Sequence, residues 1–120
     1  MVGTGGLLGL EWVIDALGCD AARLRDPAVV GQLFDDIVSV MRLKPVAPVH
    51  LHQFGGEAGI TALLLLSESH LALHSFPEHG AVTVNLYSCK EREELAWSSL
   101  LRGAFGASEV VVRSLPRGPR

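Results

Sequence analysis

Alternating apolar and polar positions predict the central strands of a sheet. Residues 70–76 and 81–89 both place apolar side chains at every second position, as half-buried strands do. Pro77 and Gly80 between them predict a turn. Just upstream, residues 62–66 are continuously apolar, which predicts a strand buried on both faces.

The first third of the chain predicts a strand followed by a helix. Residues 10–17 alternate well enough for a first strand, and residues 18–25 form a connector with room for one helical turn. Asp26 followed by Pro27 is typical of a helix start, because Asp accepts hydrogen bonds from free amides and Pro suits the first turn. Apolar residues spaced three and four apart then continue this helix to Met41.

The remaining segments complete the predicted elements. Val49 and Leu51 alternate with polar residues in a short second strand, and the glycine-rich residues 54–59 indicate a loop. A helix is expected from about residue 93 to residue 104, opened by acidic side chains and ended by a following glycine. Residues 110–113 predict the last strand.

Six strands and two helices that do not alternate with them predict an α+β two-layer sandwich, with a mainly antiparallel sheet and both helices on one face. The helices are expected to cover the sheet face that carries Trp12, Ile14, Val49, Leu51, Leu71, Leu73, Val82, Val84 and Leu86. The other face, named the open face below, would carry Glu11, Asp15, His50, His52, His70, His74, Asn85, Tyr87 and Cys89.

Composition narrows the class of protein. The 120 residues are 48% apolar, which fits a single domain with a real core, and residues 1–8 and 115–120 are expected to be loose. A net charge of −3 argues against nucleic acid as a partner. With no apolar run near the length of a membrane span and no basic start of a signal peptide, we expect no membrane contact and a cytoplasmic location. The two cysteines are expected to be reduced thiols.

So many polar groups on one sheet face need water, a ligand or a partner subunit. His50 and His52 point the same way on a strand, as do His70 and His74, so one hypothesis is a metal site, because imidazole suits zinc or copper. No established metal-binding spacing supports this hypothesis. A second interpretation is a sheet that forms a dimer through its mixed face.

A third interpretation is catalysis by a nucleophile. Ser69 directly follows an acidic residue, with His70 or His74 as a candidate base and Cys89 as a candidate proton donor or acceptor. The odd spacing of Ser69 and His74 puts them on opposite sides of a straight strand. Cleavage of the chain, or a bend at Ser69, would have to bring the two side chains together.

Three segments together resemble a known family. Residues 67–71 (SESHL), 74–80 (HSFPEHG) and 85–89 (NLYSC) are similar to the processing-site region of the short bacterial S-adenosylmethionine decarboxylase proenzymes. Upstream, residues 59–61 (GIT) and 15–20 (DALGCD) resemble further motifs of that family. The resemblance extends over roughly residues 11–113.

The resemblance implies a pyruvoyl-dependent decarboxylase that cuts itself between Glu68 and Ser69. The Ser69 hydroxyl would attack the Glu68 carbonyl, and elimination and hydrolysis would leave a β chain of residues 1–68 and an α chain that begins with a pyruvoyl group. That group is the only cofactor implied; its ketone forms a Schiff base with the substrate amine and acts as an electron sink. The product, decarboxylated S-adenosylmethionine, is the aminopropyl donor for spermidine.

Individual roles also follow from the resemblance. Thr61 and His74 would assist processing, and Cys89 would protonate the decarboxylated carbon. Glu78 would hold the ribose of the substrate, and Phe76, which replaces the usual Trp, would stack on adenine together with Phe54.

The resemblance further implies a homodimer, and it leaves alternatives open. Asp15 would line the substrate site, one methylene shorter than the Glu usual in the family, and Asn85 replaces an Asp. A pyruvoyl-dependent decarboxylase of ornithine or arginine is one alternative, because Glu11, Asp15 and Glu78 are able to receive a basic side chain. An unprocessed, non-enzymatic binding or regulatory protein is the other.

Overall fold

The chain forms a six-stranded sheet with its helices on one side. The computed structural model describes residues 8–55, 58–89 and 95–118. In chain order its elements are β1 (Gly9–Leu17), α1 (Ala21–Leu24), α2 (Pro27–Met41), β2 (His50–Gln53), β3 (Ile60–Leu65), β4 (His70–Phe76), a 3₁₀ turn (Pro77–His79), β5 (Ala81–Ser88), α3 (Trp97–Phe105) and β6 (Glu109–Arg117). The strands lie in the order β2-β3-β4-β5-β1-β6, and each neighbouring pair is antiparallel. The predicted α+β sandwich is confirmed.

The predicted start of the long helix is confirmed. Asp26 Oδ1 accepts a hydrogen bond from the Ala28 amide at 2.9 Å, and Pro27 is the first residue of α2. The connector before it holds the one-turn helix α1, where Asp20 accepts from the Ala22 amide at 2.9 Å. The buried stripe of α2 consists of Val30, Leu33, Phe34, Ile37 and Met41.

The core lies between the helices and one face of the sheet. Seven of the nine side chains predicted for this face are buried: Trp12, Ile14, Leu71, Leu73, Val82, Val84 and Leu86. Ser75 joins the layers, because its hydroxyl donates to the Leu24 carbonyl at 2.7 Å and accepts from the Ile60 amide at 2.9 Å. This buried serine has both hydrogen-bonding roles satisfied, as a polar group in a core requires.

Two predictions for the edge of the sheet were wrong. The apolar run at residues 62–66 is not buried on both faces: Leu63 and Leu65 of β3 are 48% and 56% exposed. The helices cover only one side of the sheet, so every second residue of β3 points away from the core. Val49 was expected in the second strand, but β2 begins one residue later and Val49 is partly exposed.

The carboxyl-terminal segment is ordered further than predicted. Residues 115–117, expected to be loose, continue β6, in which Pro116 pairs with Leu10 and Arg117 with Gly9. Proline is tolerated here because β6 is an edge strand and lacks a partner on its outer side. The expected loose residues 1–7 and 119–120 lie outside the described part of the chain.

The last helix begins later than predicted. Its first residue is Trp97, and the acidic opening expected at residues 93 and 94 lies outside the described residues. Leu95 and Trp97 are both buried, a spacing of two that one helical face does not provide. Gly106 ends the helix at φ 70° as predicted. Within the described segments, no helix has the length and apolar character needed to cross a membrane.

Candidate active site

Glu68, Ser69 and Cys89 meet at one end of the sheet. Residues 66–69 connect β3 to β4. The Leu66 amide closes this connection by donating to the Ser69 carbonyl at 3.0 Å. Cys89 directly follows β5, the neighbour of β4, and its Sγ donates to Glu68 Oε1 at 3.3 Å. The predicted cleavage bond and the predicted proton donor therefore lie side by side.

Ser69 has open space beside it. A cleft of about 460 Å³ on the open face is lined by Leu8, Leu65, Glu68, Ser69, His70, Tyr87, Arg117 and Gly118. A small cavity of about 30 Å³ also borders Ser69, and Cys89 and Lys44 are among its lining residues. The larger space suits a small polar ligand better than the smaller one, which has the volume of a water molecule.

Thr61 and His74 form a second group on the same face. They are directly paired across β3 and β4, so their side chains point the same way. Thr61 Oγ1 lies 3.1 Å from His74 Nδ1. The two residues predicted to assist processing are therefore in contact with each other.

The predicted substrate-binding residues lie beyond His74, at the same end of the sheet. Phe76 is the last residue of β4 and is 39% exposed. Glu78 is exposed in the 3₁₀ turn that follows. Phe54, which is 49% exposed, follows β2 and makes an edge contact with the His52 ring at a centroid distance of 4.7 Å. Two exposed rings and the exposed Glu78 carboxylate are available to a ligand at this end.

The two groups are separated within one chain. His70 and His74 stand four residues apart on β4, which corresponds to about 13 Å along a strand. Ser69 lies one residue further from His74. The uncut chain therefore keeps Ser69 away from His74, as the odd spacing predicted, and no bend at Ser69 brings the two together.

Two carboxylates of β1 form ion pairs with arginines of β6. Asp15 Oδ2 accepts from Arg113 Nη1 at 3.1 Å, and the Glu11 carboxylate pairs with Arg117. A hydrogen bond from Asn85 at 2.6 Å, together with Arg117, lowers the pKa of Glu11 against the opposing effect of burial. The sequence did not indicate either arginine as part of the site, because the tail that carries Arg117 was expected to be loose.

The metal hypothesis finds no support in the described residues. They contain no group of three or more His, Cys, Asp or Glu side chains close enough to hold a metal ion. His70 instead stacks on Tyr87, with ring centroids 6.0 Å apart. His52, His70 and His74 thus contact neighbouring side chains rather than one another.

Both cysteines are reduced, as predicted. Burial raises the pKa of Cys19, and its backbone amide donates to the Gly80 carbonyl at 2.9 Å. A thiol with a raised pKa is less nucleophilic at neutral pH. Cys19 therefore suits a structural rather than a chemical role.

Comparison with solved structures gives the class of protein. The fold matches the crystal structure of the adenosylmethionine decarboxylase from Aquifex aeolicus with a TM-score of 0.80 and 25% sequence identity, over 97% of this chain and 95% of that one. Residues 10–118 match the S-adenosylmethionine decarboxylase family. The chain belongs to this enzyme family, as the motifs around Ser69 predicted.

Curated relatives agree with this assignment. S-adenosylmethionine decarboxylase proenzyme 2 of Halalkalibacterium halodurans is 34% identical over 112 residues, which is 92% of this chain and 87% of the relative. The S-adenosylmethionine decarboxylase proenzyme of Anoxybacillus flavithermus is 30% identical over 111 residues, or 92% and 88% of the two chains. Both are named as proenzymes.

Proposed function

We propose that the chain cleaves itself between Glu68 and Ser69 and then decarboxylates S-adenosylmethionine, which supplies the aminopropyl donor for spermidine synthesis. Membership of the family supports this function. The observation that supports it most directly is the contact between the Cys89 thiol and the Glu68 side chain, 3.3 Å apart beside Ser69.

Cleavage needs only groups of this chain and water. The Ser69 Oγ attacks the Glu68 carbonyl carbon, so that an ester C–O bond forms as the amide C–N bond breaks. Loss of the Ser69 Cα proton then breaks the ester and releases Glu68 as a carboxylate. Hydrolysis of the resulting amino-terminal enamine loses ammonia and leaves a pyruvoyl group at residue 69.

The position of Ser69 fits this chemistry. Its connection to β3 lies outside the ladders of paired strands, and the adjoining cleft of about 460 Å³ leaves room for rearrangement. When formed, the pyruvoyl ketone supplies an electron sink for the electrons left behind by carbon dioxide. The Cys89 thiol, which donates to the Glu68 side chain, would deliver a proton to the decarboxylated carbon.

A second copy of the chain completes the site in this proposal. Ala72 lies midway between His70 and His74 on the open face. A two-fold axis that lies above Ala72, between two facing sheets and perpendicular to β4, would set the two copies of β4 in opposite directions. Two sheets packed face to face about such an axis would set Thr61 and His74 of one copy opposite Ser69 of the other. Leu63, paired directly with Ala72, gives the centre of the contact apolar surface.

The same arrangement brings the substrate-binding residues to the cleavage site. Phe54, Phe76 and Glu78 lie on the His74 side of the open face and would follow it across the dimer. We propose that the two rings bind adenine by stacking and that the Glu78 carboxylate accepts hydrogen bonds from the ribose hydroxyls.

The paired carboxylates disfavour ornithine or arginine as the substrate. Glu11 and Asp15, two of the three acids considered for a basic side chain, already pair with Arg117 and Arg113. The test is release of labelled carbon dioxide by the purified chain from carboxyl-labelled S-adenosylmethionine, ornithine and arginine. We expect release from S-adenosylmethionine alone. Faster release of carbon dioxide from ornithine or arginine would reject S-adenosylmethionine as the substrate.

A further inference from the structure

A chain of hydrogen-bonded side chains crosses four neighbouring strands and ends at His70, the residue after Ser69. The Arg117 guanidinium on β6 pairs with the Glu11 carboxylate on β1. Asn85 on β5 donates from Nδ2 to Glu11 Oε2 at 2.6 Å. The Asn85 Oδ1 in turn lies 3.1 Å from His70 Nε2 on β4.

The carboxylate of Glu11 determines which group donates in each of these hydrogen bonds. An ionised carboxylate only accepts hydrogen bonds, so Asn85 must turn its amide nitrogen to Glu11 and its oxygen to His70. That oxygen also only accepts, so His70 Nε2 must carry the hydrogen. In a neutral imidazole the other nitrogen, Nδ1, then holds the lone pair.

Neighbouring groups hold Glu11 and His70, the two residues that Asn85 joins, in place. The lowered pKa of Glu11 keeps it ionised near neutral pH. The His70 ring stacks on Tyr87 with an angle of 15° between the two planes. Tyr87 is itself fixed, because its hydroxyl donates to the Leu8 carbonyl at 2.6 Å and the Arg117 guanidinium lies 6.0 Å from its ring centroid.

We infer that Glu11 and Asn85 are positioning residues that hold His70 in the tautomer with hydrogen on Nε2, so that Nδ1 accepts a proton from the α-ammonium group of the substrate. In this step an N–H bond of the ammonium breaks, an N–H bond to Nδ1 forms, and the amine keeps its lone pair for attack. Glu11 balances the charge of the imidazolium through Asn85. The substrate part of this inference rests on the proposed function.

The position of Nδ1 suits this role. Nδ1 is bonded to Cγ, so it lies on the side of the ring nearer to the main chain, which continues directly to residue 69. His70 and Ser69 line the same cleft. His74 of the same chain stands about 13 Å further along β4, and its Nδ1 is in contact with Thr61.

The tautomer is tested first, on uncleaved protein. In the Ser69→Ala chain, labelled with ¹⁵N, long-range proton–nitrogen spectra of the imidazole rings report which nitrogen carries hydrogen. We expect Nε2 of His70 to be protonated and Nδ1 not. Glu11→Gln has nearly the same shape but adds a hydrogen-bond donor. Asn85 is then able to face either way, so the two tautomers of His70 should both be populated. Asp15→Asn makes the same change on the same strand and face, and should leave the His70 signals as they were.

The proton-transfer role is tested on cleaved protein with Asn85→Leu. We expect kcat for S-adenosylmethionine to fall at least about 10-fold with little change in KM. Reaction of the ketone with phenylhydrazine, a neutral amine that needs no base, should keep its rate. A His70 with hydrogen on Nδ1 in the Ser69→Ala chain, or an unchanged kcat in Asn85→Leu, would overturn the inference. A wild-type chain that is never cleaved would instead contradict the proposed function and leave the tautomer result standing.

Discussion

Ser69 directly precedes β4 and His74 lies near the far end of that strand, although both are needed for the proposed cleavage. A separation of five residues corresponds to about 16 Å along a strand, too far for direct proton transfer. Thr61 is at the same end as His74 and in contact with it. The proposed cleavage therefore requires the proposed dimer, in which His74 of a second copy would approach Ser69 across the open face.

Mixed dimers should restore cleavage that neither variant achieves alone. Ser69→Ala lacks the nucleophile and His74→Ala lacks the assisting imidazole, so neither should be cut when expressed by itself. When both are expressed together, roughly half of the dimers are mixed, and each of these has one complete site. Mass spectrometry should then find cleaved His74→Ala chains.

The double variant Ser69→Ala/His74→Ala, expressed with His74→Ala, is the matched control and should give no cleavage. Failure of the first mixture to cut, although tagged chains show that mixed dimers form, would reject a site shared between copies.

A charge at the centre of the open face should separate the dimer. Leu63→Lys places an ammonium group where the two sheets are proposed to meet, and a buried unpaired charge is strongly unfavourable. Light scattering should show a smaller particle for this variant, and the chain should lose cleavage. Val40→Lys changes an exposed apolar residue on α2, which is 63% exposed against 48% for Leu63, and should leave both properties unchanged. If the wild-type chain is a monomer at micromolar concentration, the proposed packing is wrong.

Cys89→Ala should separate cleavage from turnover. The thiol is not required for attack of Ser69 on Glu68, so the chain should still be cut. Without a proton donor beside residue 69, we expect carbon dioxide release to fall at least about 100-fold. Cys19→Ala removes the other thiol and should retain turnover, and equal activity of the two variants would contradict the role of Cys89.

The pairing of Glu11 should make stability depend on pH in the acid range. The hydrogen bond from Asn85 and the charge of Arg117 lower the pKa of Glu11 below its ordinary value of 4.5. Such a group stabilises the folded state above 4.5, and its contribution is lost as the pH falls through the folded pKa. Urea unfolding on both sides of this value should show a steeper acid loss for the wild type than for Glu11→Gln. If the free energy of unfolding falls equally with pH in the wild type and in Glu11→Gln, the stabilising role of the Glu11 pairing is contradicted.

Local patterns predicted the strands and the long helix well, because both follow from the residues themselves. Asp26 and Pro27 define the start of α2, and alternation placed seven buried side chains on the correct face. The prediction that residues 115–117 are loose was wrong for a physical reason. Pro116 and several arginines are unfavourable in a central strand, but an edge strand tolerates both.

The sequence named the candidate site residues, whose roles are still predictions, but it did not predict their arrangement. Spacing alone assigned Ser69 and His74 to opposite sides, and the structure adds the distance between them along β4. Leu63 and Leu65 were expected to be buried, and in one chain they are not. In the proposed dimer a second copy would cover that surface, and alternation within a single sequence does not distinguish burial inside one chain from burial between two.

The central claim is tested most directly by the mass of the denatured, purified wild-type chain. We predict two fragments. The first ends at the free carboxylate of Glu68, and the second begins at residue 69 and is one ammonia lighter than a fragment with amino-terminal serine. Ser69→Ala should remain a single chain of 12.8 kDa. A wild-type chain that stays whole after prolonged incubation would contradict self-cleavage and favour a non-enzymatic binding role.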